Sequence, residues 1–182
     1  MSESEFTLLG DAIWLDFVNT ARGRVPSPPD LLPNAVAVGR WAQAQSLDWV
    51  DGNGISLDEI LRFRGCLTAL AEALHSDLQP PAGSITAINE QLYRNGGSHQ
   101  LTRVGGEWQL RFAPARLPTL LEAIAQSAAT ALADPLLFVR RCAGESCSLF
   151  FTDNSPNQDR HWCNAAVCGR PVKVERRRGL LR

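Results

Sequence analysis

Cys142, Cys147, Cys163 and Cys168 stand as two pairs with the spacing C-x4-C-x15-C-x4-C. Structural zinc needs four soft ligands that give up their protons and close a tetrahedron, and two short cysteine loops supply them with little backbone strain. One structural zinc ion per chain is therefore expected. The plain alternatives are two disulfides or four unrelated thiols. The tight clustering speaks against them, as does an N-terminus, MSESEFTLLG, without the basic start and apolar run of a secretory signal, which reads as cytoplasmic. A dithiol redox pair usually holds two intervening residues rather than four. His161 is a further candidate ligand, but four cysteines already complete the shell, leaving it a surface imidazole or a group hydrogen-bonded behind the ligands. Cys66 falls in the apolar stripe of a long helical segment, where a buried thiol without chemistry is the ordinary outcome.

The charge of the chain points to a partner for the same region. The net charge of -1 conceals an acidic body and a basic end: residues 1–139 sum to -6 and residues 140–182 to +5. From Val172 to Gly179 the residues favour or tolerate a helix, and Pro171 suits its first turn. On that helix Arg170, Lys173 and Arg177 share a face, with Arg176 and Arg178 beside it, a surface suited to DNA phosphates. The competing reading is electrostatic housekeeping. Four thiolates around one zinc carry -2, which Arg140, Arg141 and Arg170 would offset, and an arginine-rich end is often a solvated tail. No GxSxG, HExxH or phosphate-loop motif occurs, and a closed four-thiolate shell leaves no open position for catalysis, so the chain reads as a non-enzyme.

These groups need a scaffold, and a composition of 45% hydrophobic and 20% charged residues provides for a packed one. No apolar run is long enough to span a membrane. Between Asp11 and Arg22, the residues Ile13, Trp14, Phe17, Val18 and Ala21 recur at helical spacing, with Asp16, Asn19 and Thr20 on the opposite face. Asp16 and Asn19, with Trp14 and Arg22 nearby, are the candidate contacts for a small ligand; the alternative is that Asp16 and Asn19 cap or cross-link neighbouring helices. VPSPPD closes that helix. Asn34 caps a second helix through about Leu47, and Ser56 with Glu59 forms a capping box for a third whose stripe runs Ile60, Phe63, Leu67, Leu70, Leu74, Leu78. Ser84 is placed to cap a fourth through Tyr93. HQLTRV and EWQLRF flank Gly105-Gly106 as a hairpin, and a fifth helix runs from about Pro118 to Ala133. LLFVRR and CSLFFTD read as strands around the first cysteine pair.

The fold class is thus mainly α with a small β-hairpin: a helical domain at 1–135, then a small treble-clef-like zinc finger at 136–182 made of short strands and one basic helix. The finger has too little apolar content to fold without its metal, so chelation is expected to melt it while the helical body survives.

WLDFVNT, residues 14–20, resembles the signature of the ABATE domain, and Cys142-x4-Cys147, FFTDNSPNQDRHWC and Cys168-Gly169 with a basic segment resemble the CGNR zinc finger that usually follows it. Where that finger has Cys-Gly-Asn-Arg, this chain has Cys168-Gly169-Arg170-Pro171. The resemblance implies a bacterial transcription regulator in which the N-terminal domain senses an unidentified small molecule and the finger binds DNA. The alternative is a zinc-stabilised protein-protein interaction module that does not touch nucleic acid, and a homodimer is compatible with either.

Overall fold

The computed structural model describes residues 5–23, 29–47 and 54–169. In chain order these form α1 (Ile13–Asn19), α2 (Ala35–Ala44), α3 (Leu57–His75), α4 (Ala82–Arg94), a hairpin of β1 (Gly97–Val104) and β2 (Glu107–Pro114), α5 (Leu120–Leu132), and a short antiparallel pair, β3 (Val139–Arg141) and β4 (Phe150–Thr152). The mainly helical body with small strand pairs agrees with the sequence reading. The expected C-terminal basic helix, with Arg170, Lys173, Arg176, Arg177 and Arg178, lies outside the described residues.

The helix starts follow their caps. Asn34 accepts from the Ala37 N–H at 2.9 Å, and Ser56 accepts from the Glu59 N–H at 3.1 Å, each filling a donor that a helix N-terminus leaves unpaired. Glu59 directs its carboxylate to Arg94, 2.7 Å away on α4. Three expectations are corrected by tertiary contacts. Leu78 is not in the buried stripe of α3: the helix stops at His75, Asp77 turns into the left-handed region at φ 55°, and Leu78 is exposed. Ser84 is not the cap of α4, which begins after Pro81; its hydroxyl donates to the Cys66 carbonyl at 2.7 Å and ties α4 to α3. Cys66 itself is half-buried rather than buried. The last helix begins just beyond Pro118, where Thr119 and Glu122 close a complete capping box. At the hairpin, Gly105 and Gly106 both take positive φ, 58° and 91°, the backbone a two-residue turn between right-twisted strands requires.

The main core gathers Trp14, Phe17 and Val18 of α1, Val38 and Trp41 of α2, Phe63, Leu67 and Leu70 of α3, and Leu121 and Ile124 of α5. Phe17 and Trp41 pack with ring centroids 5.3 Å apart. Val139 and Phe150 join this core from the C-terminal strands, while Phe151 joins a second cluster with Cys142, Leu149, Cys163 and Cys168. Successive residues of a strand point to opposite faces. Strand β4 is therefore a shared wall, with one phenylalanine in the helical core and the next against the cysteines.

Candidate metal centre

The four cysteines, drawn from two loops well apart in the chain, converge: their sulfurs all lie within 4.8 Å of one another. Cys147 and Cys168 each sit 3.8 Å, sulfur to sulfur, from Cys163. A Zn–S bond of about 2.3 Å places tetrahedral ligand sulfurs ~3.8 Å apart, so the donor set fits zinc. It does not fit a disulfide, whose sulfurs stand about 2.05 Å apart. Without a cation, the crowded thiols oppose one another's ionisation. Cys147 is lowered to about 5, first because Cys163 donates a hydrogen bond to it; that same bond raises Cys163, and burial pushes Cys168 up to about 11. A divalent cation among them is what allows all four to ionise together.

The local backbone explains why the loops close here. The Cys147 N–H returns to the Gly144 carbonyl at 2.9 Å, and Gly144 brings its own N–H to 3.5 Å from the Cys142 sulfur. A side chain at Gly144 would press on the β-carbons of Cys168 and Cys147 at 3.1 and 3.2 Å, so anything larger than glycine has to move two ligand residues by a few tenths of an ångström. The second pair is held by Asn164, whose side chain accepts from the Ala166 N–H at 2.9 Å while its carbonyl accepts from Cys168 N–H at 2.8 Å. The Cys163 N–H points to the Cys142 sulfur at 3.4 Å, and the Ala143 N–H donates to the His161 carbonyl at 2.8 Å, joining the two loops. His161 contributes that carbonyl and an edge contact to Trp162; its ring is exposed and outside the sulfur cluster.

Two arginines organise the surroundings, in roles that the sequence does not signal. Arg160 reaches the Cys163 carbonyl at 2.6 Å and the Trp162 carbonyl at 3.0 Å, lies 4.4 Å over the Phe151 ring, and pairs with Asp11 of the helical body. Arg22 does the corresponding work from the other side. Its guanidinium lies 4.4 Å over Phe150, donates to the Ser148 carbonyl at 3.3 Å and pairs with Glu72 of α3. Spacing alone does not mark either as a strut between the two regions. Arg140, a candidate for charge balance, has a carboxylate partner of its own: it pairs with buried Asp153 at 2.8 Å. Burial alone would raise the Asp153 carboxyl, yet hydrogen bonds from Ser155, Arg140 and the Arg160 N–H together hold it below the usual carboxylate range. Arg141 is exposed.

The remaining residues singled out on α1 lead to different places. Trp14 is fully buried in the core. Asp16, also buried, accepts from the Gly10 N–H at 2.7 Å and the Gln45 amide at 3.0 Å; burial nevertheless pushes its carboxyl up. Asn19 closes a reciprocal pair with the finger, its amide donating to the Phe150 carbonyl at 2.8 Å and its oxygen accepting from the Phe150 N–H at 2.9 Å. Thr152 N–H to Gly10 carbonyl, at 3.0 Å, extends this seam, and Ser148 and Gly23 exchange backbone and hydroxyl bonds beyond it. Trp14, Asp16, Asn19 and Arg22 are thus each engaged by partners of their own, in the core, near Gly10 and Gln45, and at β4. A cleft of about 450 Å³ opens elsewhere, between α3 and α4, over Phe63, Cys66 and Gln91.

Residues 11–135 match the family model ABATE, described as "Putative stress-induced transcription regulator", and residues 139–179 match the CGNR zinc finger. The chain belongs to the ABATE family. A comparison with curated proteins finds no match. In this ABATE protein the two matched segments meet along β3 and β4, where α1, the helix of the WLDFVNT segment, hydrogen-bonds the finger's inner strand and α3 packs on β3. No helix among the described residues is long and apolar enough to cross a membrane.

Proposed function

We propose that this protein is a cytoplasmic, DNA-binding transcription regulator whose finger holds one zinc ion through Cys142, Cys147, Cys163 and Cys168. The observation that carries the reading is the cluster of four cysteine sulfurs within 4.8 Å of one another, followed after a single glycine by a segment in which residues 170–178 hold five basic side chains. The metal supplies a rigid cross-link. Arg170, Lys173, Arg176, Arg177 and Arg178 then supply charge-assisted contacts to phosphates, which position the finger on a duplex without by themselves reading sequence. Ligand sensing belongs to the helical region: because Asn19 and Arg22 hold β4, a small molecule that shifts α1 would alter how the finger is presented. The two-sided attachment of α1, to the core through Trp14 and to β4 through Asn19, supports this coupling.

The test is a titration of zinc-loaded protein with a random-sequence duplex at low and moderate salt, beside a variant with Lys173, Arg176 and Arg177 replaced by Ala. Binding should weaken, and the slope of log affinity against log salt should flatten by about 0.9 for each phosphate no longer neutralised, at unchanged zinc content. If the wild type binds no duplex at low salt, the DNA reading fails and the zinc-stabilised protein-interaction module replaces it. Loss of zinc in the triple variant would instead assign those side chains to charge balance.

A further inference from the structure

The hairpin is the part of the molecule that the metal centre and the core leave unused. Its register pairs His99 with Phe112, Leu101 with Leu110, and Arg103 with Trp108, and strand alternation puts all six side chains on one face. The opposite face carries Ser98, Gln100, Thr102, Glu107, Gln109 and Arg111, with two small apolar side chains, Val104 and Ala113. This is the alternation of a sheet with one face buried, yet the apolar face stands in water: Leu101 and Leu110 are each 67% exposed, Trp108 68% and Phe112 50%. Among the described residues no helix or other strand packs extensively on either strand of the hairpin. A two-stranded sheet with both faces solvated is only marginally stable, and an apolar face of this kind usually marks an interface.

We infer that this face is a homodimer interface, in which the hairpins of two copies pack face to face. The four exposed apolar side chains present a patch on the order of 500 Å². Two such patches bury about 1,000 Å², the size at which a specific interface becomes tenable, whereas the patch alone is no core for a single chain. The row is also suited to its own copy under a two-fold axis. An aromatic side chain stands at each end, Trp108 under the Arg103 guanidinium near the turn and Phe112 against His99 near the base, and the Leu101–Leu110 pair lies midway. An arrangement with turn against base centres the leucines on the axis and sets Trp108 of one copy against Phe112 of the other. It also keeps the two Arg103 cations apart, since rows four residues distant are ~14 Å apart along a strand. The parallel arrangement would bring those like charges together. Closing the two hairpins into a two-layer sandwich gives each strand the buried face its pattern was written for. Pairing through the hairpin does not depend on DNA binding.

Sedimentation of the zinc-loaded full chain from low micromolar to about 100 µM tests it, with Leu101→Ser/Leu110→Ser and, on the other face, Gln100→Ala/Thr102→Ala. The wild type and the opposite-face variant should dimerise alike, while the leucine variant should dissociate with a constant raised about tenfold or more. Helical circular dichroism and zinc content, which report the body and the finger, should be unchanged in all three; a milder Trp108→Ala gives the same reading if the leucine variant is insoluble. A wild type that stays monomeric through this range overturns the inference, whatever else it binds. So does a dimer that the apolar-face variants leave intact.

Discussion

The helical body and the finger are built from opposite resources. The body has a continuous apolar core contributed by α1, α2, α3, α5 and Phe150, and three of its helices, α2, α3 and α5, start on side-chain caps. The finger has a second cluster of five buried residues, three of them cysteines. Burial at roughly 25 cal/mol per Å² is plentiful in the first and scarce in the second, so a metal bond network and whatever the body lends are expected to make up the difference. What the body lends is a seat for β4: Phe150 inserts into the helical core, and Asn19 completes the backbone of the strand. This small module is therefore neither independent nor merely tethered. Its metal face is its own and its back wall belongs to the body.

Removing a ligand should have the largest effect on this division. Cys147→Ser or Cys163→Ser should abolish stoichiometric zinc, since a hydroxyl is a poor substitute for a thiolate and structural zinc contributes on the order of 10 kcal/mol to small domains. A metal assay showing full zinc in both variants would refute the assignment. Chelation followed by amide exchange resolved by segment should release β3, the cysteine loops and β4, leave α3 and α5 protected, and loosen α1 by an intermediate amount. Uniform protection after chelation would contradict the division, and an α1 as protected as α3 would show that the seam carries no coupling.

A smaller effect should follow from cutting the seam while leaving both sides chemically whole. Asn19→Ala strands a buried N–H and a buried carbonyl of Phe150, a cost of roughly 1–3 kcal/mol for each unpaired group. Denaturation of zinc-loaded protein should show that loss, and zinc should leave the variant faster because β4 is less firmly held. If zinc release matches wild type at reduced global stability, the seam stabilises the body only. Asn19→Asp retains the acceptor for the Phe150 N–H but sets a carboxylate against its carbonyl, so it should not restore the wild-type behaviour.

The smallest effect concerns Asp16, and its sign separates two kinds of acid in the body. Asp16 is raised, by burial, so its native state binds a proton more readily than the unfolded chain; its stabilising contribution is present at acid pH and lost as pH rises through the raised value. Asp30, lowered first by its hydrogen bond from Arg64, and Glu122, lowered first by Arg116, behave in the opposite sense: their contributions are present above the ordinary carboxylate range and lost as pH falls through the depressed values. Asp16→Asn keeps an oxygen for the Gly10 N–H and cannot ionise. Its stability relative to wild type should therefore be greatest near pH 7 and decline towards about pH 4, measured by denaturant midpoints. A relative stability that rises as pH falls would show that Asp16 is held as a favourable carboxylate.

The metal donor set is legible in the chain alone, because four like residues at two equal loop lengths state a coordination chemistry whatever surrounds them. The five helices and the hairpin are legible in outline, since periodicity, caps such as Asn34 and Ser56, and the Gly105-Gly106 pair are local signals. The start of α4 is not. A serine that caps a helix and a serine that binds a neighbouring helix's carbonyl have the same local pattern, and the approach of α4 to α3 is what separates them at Ser84. Asn19 poses the same difficulty on a larger scale. Its helical position shows a polar side chain on one face of α1, but its partner is Phe150, 131 residues later in the chain. Spacing along a sequence records which side of an element a group occupies. What meets the group there is settled by packing between distant segments, and here that packing placed the finger's inner strand against the helix, turning a polar face into a buried seam.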